Sequence, residues 1–319
     1  MATSMELPPI LMLGPPLFSH LFESRNTHRY RFLKLPSLFK PYSLFEFLET
    51  QNTHPSSIQV VLCNPLQPVT ADVIRSLPSL SVIATTGSGT DHVDLSECKC
   101  RGIQVVAVGG GHECASEDIA EMALGLLIDV MWKISAGDRH VRRRRVPSTN
   151  KESFTFPLPS SPKLGGKQVG IIGLGRIGMK VAKRLESFDC IIKYHSRNKK
   201  PLVSYTFYSN VVDLASDIDV LILCCPLTEQ TKYIVNKEVM LALGKDGIIV
   251  NVGRGALIDE KELVQCLIKG EIKGAGLDVF ENEPNVPKEL FSLDNVVLSP
   301  HVAAFTSECF TDTVIHVNL

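Results

Sequence analysis

Val169-Gly170-Ile171-Ile172-Gly173-Leu174-Gly175-Arg176-Ile177-Gly178-Met179 is the stretch that decides how this 319-residue sequence folds. An apolar run, 169–172, gives way to glycines spaced G-x-G-x-x-G, and the pattern becomes helical over 179–185. Strand, glycine turn and helix in that order make an otherwise weak motif specific. Glycines permit the tight turn and let the backbone approach a pyrophosphate, while the helix N-terminus attracts the phosphate charge. Gly173, Gly175, Arg176, Ile177 and Gly178 are therefore the expected dinucleotide-binding residues.

Outward from that turn, apolar runs recur at 190–194, 220–224, 248–252, 274–279 and 296–298, with helical patterns between most of them. With the fingerprint strand they make six, which fits a doubly wound parallel sheet. Nearer the amino terminus, short runs at 10–13, 60–63, 82–84 and 105–107 alternate with helix-like stretches such as 71–77. That rhythm predicts a second parallel α/β domain. Between the two, Ser116 with Glu117 and Asp118 reads as a helix start, followed by Ile119, Met122, Leu126, Leu127 and Val130 at helical spacing. Residues 147–167, rich in Ser, Pro, Lys and Gly, read as a loop, and the basic run Arg142 to Arg145 as solvated surface at a helix end.

Composition narrows the function. Hydrophobic residues make up 44% and charged residues 21%, a globular balance. Lys plus Arg (33) nearly equals Asp plus Glu (34), so no overall field favours nucleic acid or an anionic membrane. The longest apolar stretch, 122–132, is interrupted by Asp129 and is too short to cross a bilayer. Nine scattered cysteines suit a reducing compartment. Cys98, Cys100 and His112 lack the second pair that a metal site needs, so no metal is expected. The opening MATSMELPPI has no basic segment followed by an apolar core, so no secretory signal is expected and a cytoplasmic location is, with an organellar one as the alternative.

The second nucleotide-domain strand normally ends on an Asp or Glu that accepts from the adenine ribose of NAD. Here it runs into His195-Ser196-Arg197-Asn198-Lys199-Lys200, with no carboxylate. A guanidinium can fork onto a 2′-phosphate, with a hydroxyl donating beside it. Ser196, Arg197 and Lys199 thus point to NADPH, with NADH the lesser cofactor.

In an open parallel sheet, ligands lie beyond the carboxyl ends of the strands. Three polar residues follow strands there: Arg254, Glu283 and His301. A planar guanidinium can clamp a carboxylate and polarise an adjacent ketone. An imidazolium can deliver the proton that an oxygen needs as hydride reaches its carbon. A carboxylate beside that imidazole would favour its charged form, raise its pKa and orient the ring. The expected roles are substrate clamp for Arg254, acid for His301 and its partner for Glu283.

Several ordered pieces carry a family resemblance: Thr86-Gly87-Ser88-Gly89-Thr90-Asp91, Ser116-Glu117-Asp118-Ile119-Ala120-Glu121, the glycine fingerprint, Pro226-Leu227-Thr228, Asn251-Val252-Gly253-Arg254-Gly255, Gly276-Leu277-Asp278-Val279-Phe280-Glu281-Asn282-Glu283-Pro284 and Ser299-Pro300-His301. Together they resemble the D-2-hydroxyacid dehydrogenases, most of all the plant glyoxylate and hydroxypyruvate reductases, over nearly the whole chain. The resemblance implies a Rossmann dinucleotide-binding domain, 116–299 with the connecting helix, inserted in a flavodoxin-like substrate domain made of 1–115 and a truncated return, 300–319. It implies that Arg254, Glu283 and His301 are the catalytic trio and that amides near Ser88 and Gly89 hold the substrate carboxylate. Further cofactor contacts are implied for Cys225, Pro226, Thr231 and Val252, and for Asp278 against the nicotinamide carboxamide. A homodimer is implied as well.

The chain departs from the family at Val146, where a Trp is usual, and at Ala303, Ala304 and Phe305, where Gly and Ser are common. Two alternatives therefore stand beside glyoxylate and hydroxypyruvate reduction. One is a reductase of aromatic 2-oxo acids such as hydroxyphenylpyruvate; the other is a non-catalytic, dinucleotide-sensing protein like the corepressors that share this fold.

Overall fold

In the computed structural model, which describes residues 7–14, 19–35, 43–65, 67–87, 89–107, 113–143 and 162–316, the chain divides into two units. One joins the amino-terminal part through Ala115 to the segment from Phe305; the other is Ser116–Ala304. Ser88, His112 and Val146, each singled out above, lie outside the described residues, as does most of the 147–167 loop.

Among the described residues the first unit carries five parallel strands: β1 (Pro9–Leu13), β2 (Arg31–Leu35), β3 (Val60–Cys63), β4 (Val82–Thr85) and β5 (Gln104–Ala107). They lie in the order β2-β1-β3-β4-β5, the flavodoxin-like arrangement. Alternation along β1 shows why it is central: Leu11 and Leu13 enter one core with Leu33, Leu35, Val61 and Ile83, while Ile10 and Met12 enter the other with Phe22 and Leu62. Each such side chain, removed from water, contributes roughly 1.5–3 kcal/mol. Strand β2 was not expected; its sequence Arg-Phe-Leu-Lys-Leu buries only Leu33 and Leu35, a signal too short to read alone. Helices α1 (Ser19–Asn26), α2 (Leu44–Thr50), α3 (Ala71–Arg75) and α4 (Leu95–Arg101) alternate with these strands, and α1 contacts α11 (Ser307–His316), the last described helix, which returns to this unit.

The second unit carries seven parallel strands among the described residues: β6 (Gln168–Ile172), β7 (Ile191–His195), β8 (Thr206–Tyr208), β9 (Val220–Leu223), β10 (Ile248–Asn251), β11 (Gly274–Leu277) and β12 (Val296–Leu298). Their order, β8-β7-β6-β9-β10-β11-β12, is the doubly wound one with an added edge. The unexpected member, β8, is a three-residue edge strand. On one face Leu221, Leu223, Ile249, Ala275 and Leu277 pack beneath α8 (Val211–Ala215), α9 (Lys237–Leu243) and α10 (Glu260–Lys269). On the other face Val169, Ile171, Ile192, Ile222 and Val250 pack against α5 (Glu113–Trp132) and α7 (Arg176–Glu186). Gly276 allows that approach, since a Cβ there would sit 2.9 Å from Leu126 Cβ.

Two boundaries differ from expectation. Helix α5 begins at Glu113, so Ser116 is not its N-cap but lies inside it, buried. The return to the first unit starts at Phe305, not at Pro300. The cause is Asp278, whose carboxylate accepts the Val302 N–H at 3.0 Å and the Ala303 N–H at 3.1 Å and so ties those residues to the second unit.

Candidate active site

The sequence ends β10 on Asn251, which is 1% exposed. Its side chain shapes the next turn: Oδ1 accepts the Gly253 N–H at 3.0 Å, and Nδ2 donates to the Arg254 carbonyl at 2.9 Å. The Arg254 guanidinium, half-buried, donates to the Gly253 carbonyl at 2.8 Å. Gly255 then lies flush against the loop after β11, where an added Cβ would meet Phe280 C at 1.9 Å and Glu281 N at 2.3 Å. No side chain fits there, so the loops after β10 and β11 touch through their backbones.

The loop after β11 holds Glu283, whose Oε1 accepts the Phe280 N–H at 3.0 Å. Its Oε2 lies 2.8 Å from Nδ1 of His301, with the two side chains 24% and 25% exposed. His301, just past β12, has φ of +55°, a left-handed conformation that costs a non-glycine residue about 1–3 kcal/mol. Asp278 offsets that cost by binding the next two amides, since bonds from N–H to a carboxylate contribute about 1.5–3 kcal/mol. Burial pushes the Glu283 carboxyl up, but the His301 and Phe280 hydrogen bonds, with the charges of His301 and Arg254, outweigh it and hold the group below its ordinary range. The sheet thus brings the ends of three neighbouring strands, β10, β11 and β12, to one edge, with an imidazole braced by a carboxylate and a guanidinium near enough for its charge to act on that carboxylate.

Such an arrangement has a definite chemical capacity. With Nδ1 engaged by Glu283, Nε2 is the ring nitrogen left to exchange a proton with a ligand. The guanidinium offers a planar fork for a carboxylate.

The glycine turn sits at the same edge of the sheet, after β6. Gly173 has φ of +97°, and a Cβ there would be 2.7 Å from the Cys225 backbone. At Gly178 a Cβ would sit 2.2 Å from the Gly173 carbonyl oxygen, so turn and helix close on each other. At Gly175 nothing lies within 4 Å of that position. Gly175 is the N-cap of α7, an 11-residue helix, and makes no side-chain bond to the helix's first amides. This donor set fits a pyrophosphate. Of the other residues expected near a cofactor, Cys225 and Val252 are buried, and Thr231 Oγ1 donates to the Pro226 carbonyl at 2.8 Å.

The basic turn after β7 follows a different plan. Arg197 and Lys199 are exposed. Ser196 Oγ, expected to donate to a phosphate, here donates to the Asn198 carbonyl at 2.7 Å and so shapes the turn. Tyr194, fully buried, accepts the Lys200 N–H at its hydroxyl oxygen, 2.9 Å away. Asp278, expected to meet a carboxamide, has both oxygens on backbone amides; carboxylate oxygens carry further lone pairs that remain for a ligand.

Sequence reasoning assigned no role to Asn251 or to the Asp278 clamp. Asn two residues before Gly at a strand end is a readable turn signal. The clamp spans 24 residues and has no local signature.

Similarity to known proteins agrees with this geometry. Residues 124–303 match the family model described as D-isomer specific 2-hydroxyacid dehydrogenase, NAD binding domain. A glyoxylate/hydroxypyruvate reductase of Arabidopsis thaliana is 49% identical over 307 residues, covering 96% of this chain and 90% of its own. A hydroxyphenylpyruvate reductase of Plectranthus scutellarioides is 45% identical over 253 residues, covering 79% of this chain and 77% of its own. Among solved structures, an NADPH-dependent glyoxylate/hydroxypyruvate reductase from Sinorhizobium meliloti, in complex with NADP and malonate, superposes with a TM-score of 0.83 at 32% identity, covering 97% of this chain and 90% of that one. With a strand-turn-helix nucleotide fingerprint, an arginine, a glutamate–histidine pair and these relatives in agreement, the chain belongs to the D-isomer specific 2-hydroxyacid dehydrogenases.

Proposed function

We propose that this chain reduces small 2-oxo acids of the glyoxylate and hydroxypyruvate type to 2-hydroxy acids, with NADPH preferred over NADH. The observation that carries the reading is the His301 ring held 2.8 Å from Glu283 on the strand edge that also bears Arg254 and the glycine turn. The S. meliloti neighbour in complex with NADP and the Arabidopsis relative support the choice of cofactor and substrate.

Bound NADPH supplies the hydride. Unit 116–304 is assigned to the dinucleotide, whose pyrophosphate would rest on Gly173, Gly175, Arg176, Ile177 and Gly178. Arg197, with Lys199 and Ser196, would take the 2′-phosphate. Cys225, Pro226, Thr231, Val252 and Asp278 would complete the cofactor contacts. The other unit is assigned to the substrate, with the Ser88 and Gly89 amides and the Arg254 guanidinium on its carboxylate. As charge grows on the ketone oxygen, Arg254 stabilises it and His301 Nε2 donates the proton. Glu283, bonded to Nδ1, keeps the ring in the orientation that this transfer needs.

A homodimer and a cytoplasmic location complete the reading. Exposed Trp132, Ile134 and Val141, on α5 and α6 (Ile134–Arg143), supply apolar surface for the first, and the described cysteines, none in a disulfide, suit the second. Aromatic 2-oxo acids stand as the second reading, favoured by the similarity to the hydroxyphenylpyruvate reductase. Steady-state assays with glyoxylate, hydroxypyruvate, pyruvate and hydroxyphenylpyruvate, each with NADPH and NADH, rank these possibilities. Turnover should be highest with glyoxylate or hydroxypyruvate and NADPH. Binding of NADPH without turnover of any of the four would make the chain a dinucleotide sensor instead.

A further inference from the structure

Glu260 is the first residue of α10, directly after the loop that bears Arg254, and its side chain has no part in the reaction described above. It is 8% exposed, an uncommon place for a carboxylate. Its Oε1 accepts the Glu281 N–H at 3.1 Å, two residues before Glu283. We propose that Glu260 is a positioning residue for the reduction, fastening the loop that carries Glu283 to the loop that carries Arg254.

Three observations bear on this. First, Glu260 cannot drift, because Asp259 caps α10 by accepting the Glu262 N–H at 3.2 Å and Asp259 N donates to the Val235 carbonyl at 3.0 Å. Second, the anchored peptide is the one that abuts Gly255, so the hydrogen bond and the tight backbone contact lock the same point of the Glu283 loop. Third, Glu281 is also held from its side chain, whose Oε1 accepts the Tyr233 hydroxyl, and Tyr233 N donates to the Ala256 carbonyl at 2.8 Å. Glu281 is thus joined to the 254–260 segment from both its backbone and its side chain. Burial pushes the Glu260 carboxyl up, the Glu281 N–H opposes this, and the charges of Glu281 and Glu283 add to the rise. A carboxylate retained where its charge is disfavoured is consistent with a need for its reach and its acceptor oxygen.

The inference rests on the proposed trio, and its test separates the two. Glu260→Ala should lower kcat for glyoxylate with NADPH about tenfold, since a small misplacement of a reacting group is costly in rate. Its Kd for NADPH, read by fluorescence titration, should stay within twofold. Its KM for glyoxylate should change little, because Asn251 still braces Arg254. Glu260→Gln, which keeps an acceptor oxygen at the same reach, should restore most of the rate. If Glu260→Ala does not fold, Glu260→Asp, which keeps the charge but withdraws it by one methylene, should show the same fall in kcat. Full kcat in the Ala variant (or the Asp variant in its place), or a Gln variant as slow as Ala, overturns the proposal. His301→Ala, assayed alongside, distinguishes the failures. If it keeps full turnover, the trio is wrong; if it loses turnover while the Glu260 variants do not, only the clamp is wrong.

Discussion

The two ends of the dinucleotide unit's carboxyl edge are built on opposite plans. Where β10, β11 and β12 end, the functional side chains are half-buried and fixed: Glu283 is bonded on both oxygens, His301 leans on Glu283, and Arg254 is bonded to its own turn. Where β7 ends, the backbone is fixed and the charged side chains are not. Tyr194 and Ser196 hold the turn, while Arg197 and Lys199 stand in solvent. Chemistry needs groups aligned before the reaction begins, so orientation is set in advance at the first end. Binding a flexible anionic group needs charge within reach, and long exposed side chains provide it without the desolvation cost of burying them unpaired.

The contrast predicts unequal sensitivity. His301→Ala should lower kcat by roughly 10²–10⁴, the range for loss of a positioned acid, with NADPH Kd unchanged in titration. A variant with wild-type kcat would remove His301 as the acid. Gly255→Ala should be the most damaging small change to the fold at that end, costing about 3 kcal/mol or more in urea unfolding, because its Cβ would overlap the Phe280 backbone. Gly175→Ala, with open space around it, should leave the urea midpoint within error yet weaken NADPH about tenfold, or about 1.4 kcal/mol. Equal stability losses in the two glycine variants would erase the distinction.

At the other end, Arg197→Ala should reduce kcat/KM with NADPH by about tenfold while leaving NADH nearly unchanged, about the loss expected for one exposed charge-assisted contact. Combined with Ser196→Asp it should invert the preference; an unchanged ratio counts against the phosphate assignment. The smallest effect concerns pH. Glu283 is held below its ordinary value of 4.5, so its partners add stability that is fully present above that value and disappears as pH falls through the depressed folded value. The gap in urea midpoint between wild type and Glu283→Gln should therefore narrow as pH falls below about 5. A gap that widens below that pH would show that the sign is wrong.

Both ends could be read in part from sequence, for reasons tied to range. The glycine turn, Arg254 and His301 follow strand ends closely and Glu283 lies in the loop after β11, so local pattern and the rule for open sheets were enough to single them out as candidates. The basic turn became a candidate because a missing carboxylate is itself a signal at that position. What escaped depends on distant partners. Asp278 meets Val302 and Ala303, Glu260 meets Glu281, and Tyr194 meets a backbone amide, none of which spacing reveals. Strands β2 and β8 escaped because an edge strand of three to five residues buries too little to impose a period.

Gly173 and Gly178 lean on each other and on Cys225 so closely that the phosphate turn has little room to take another shape. A pyrophosphate bound there would meet a seat already set, and the turn itself would need no ordering to take it. The association rate should then follow diffusion and the attraction of exposed basic groups, slowing as salt is added, with no lag from rearrangement of that turn.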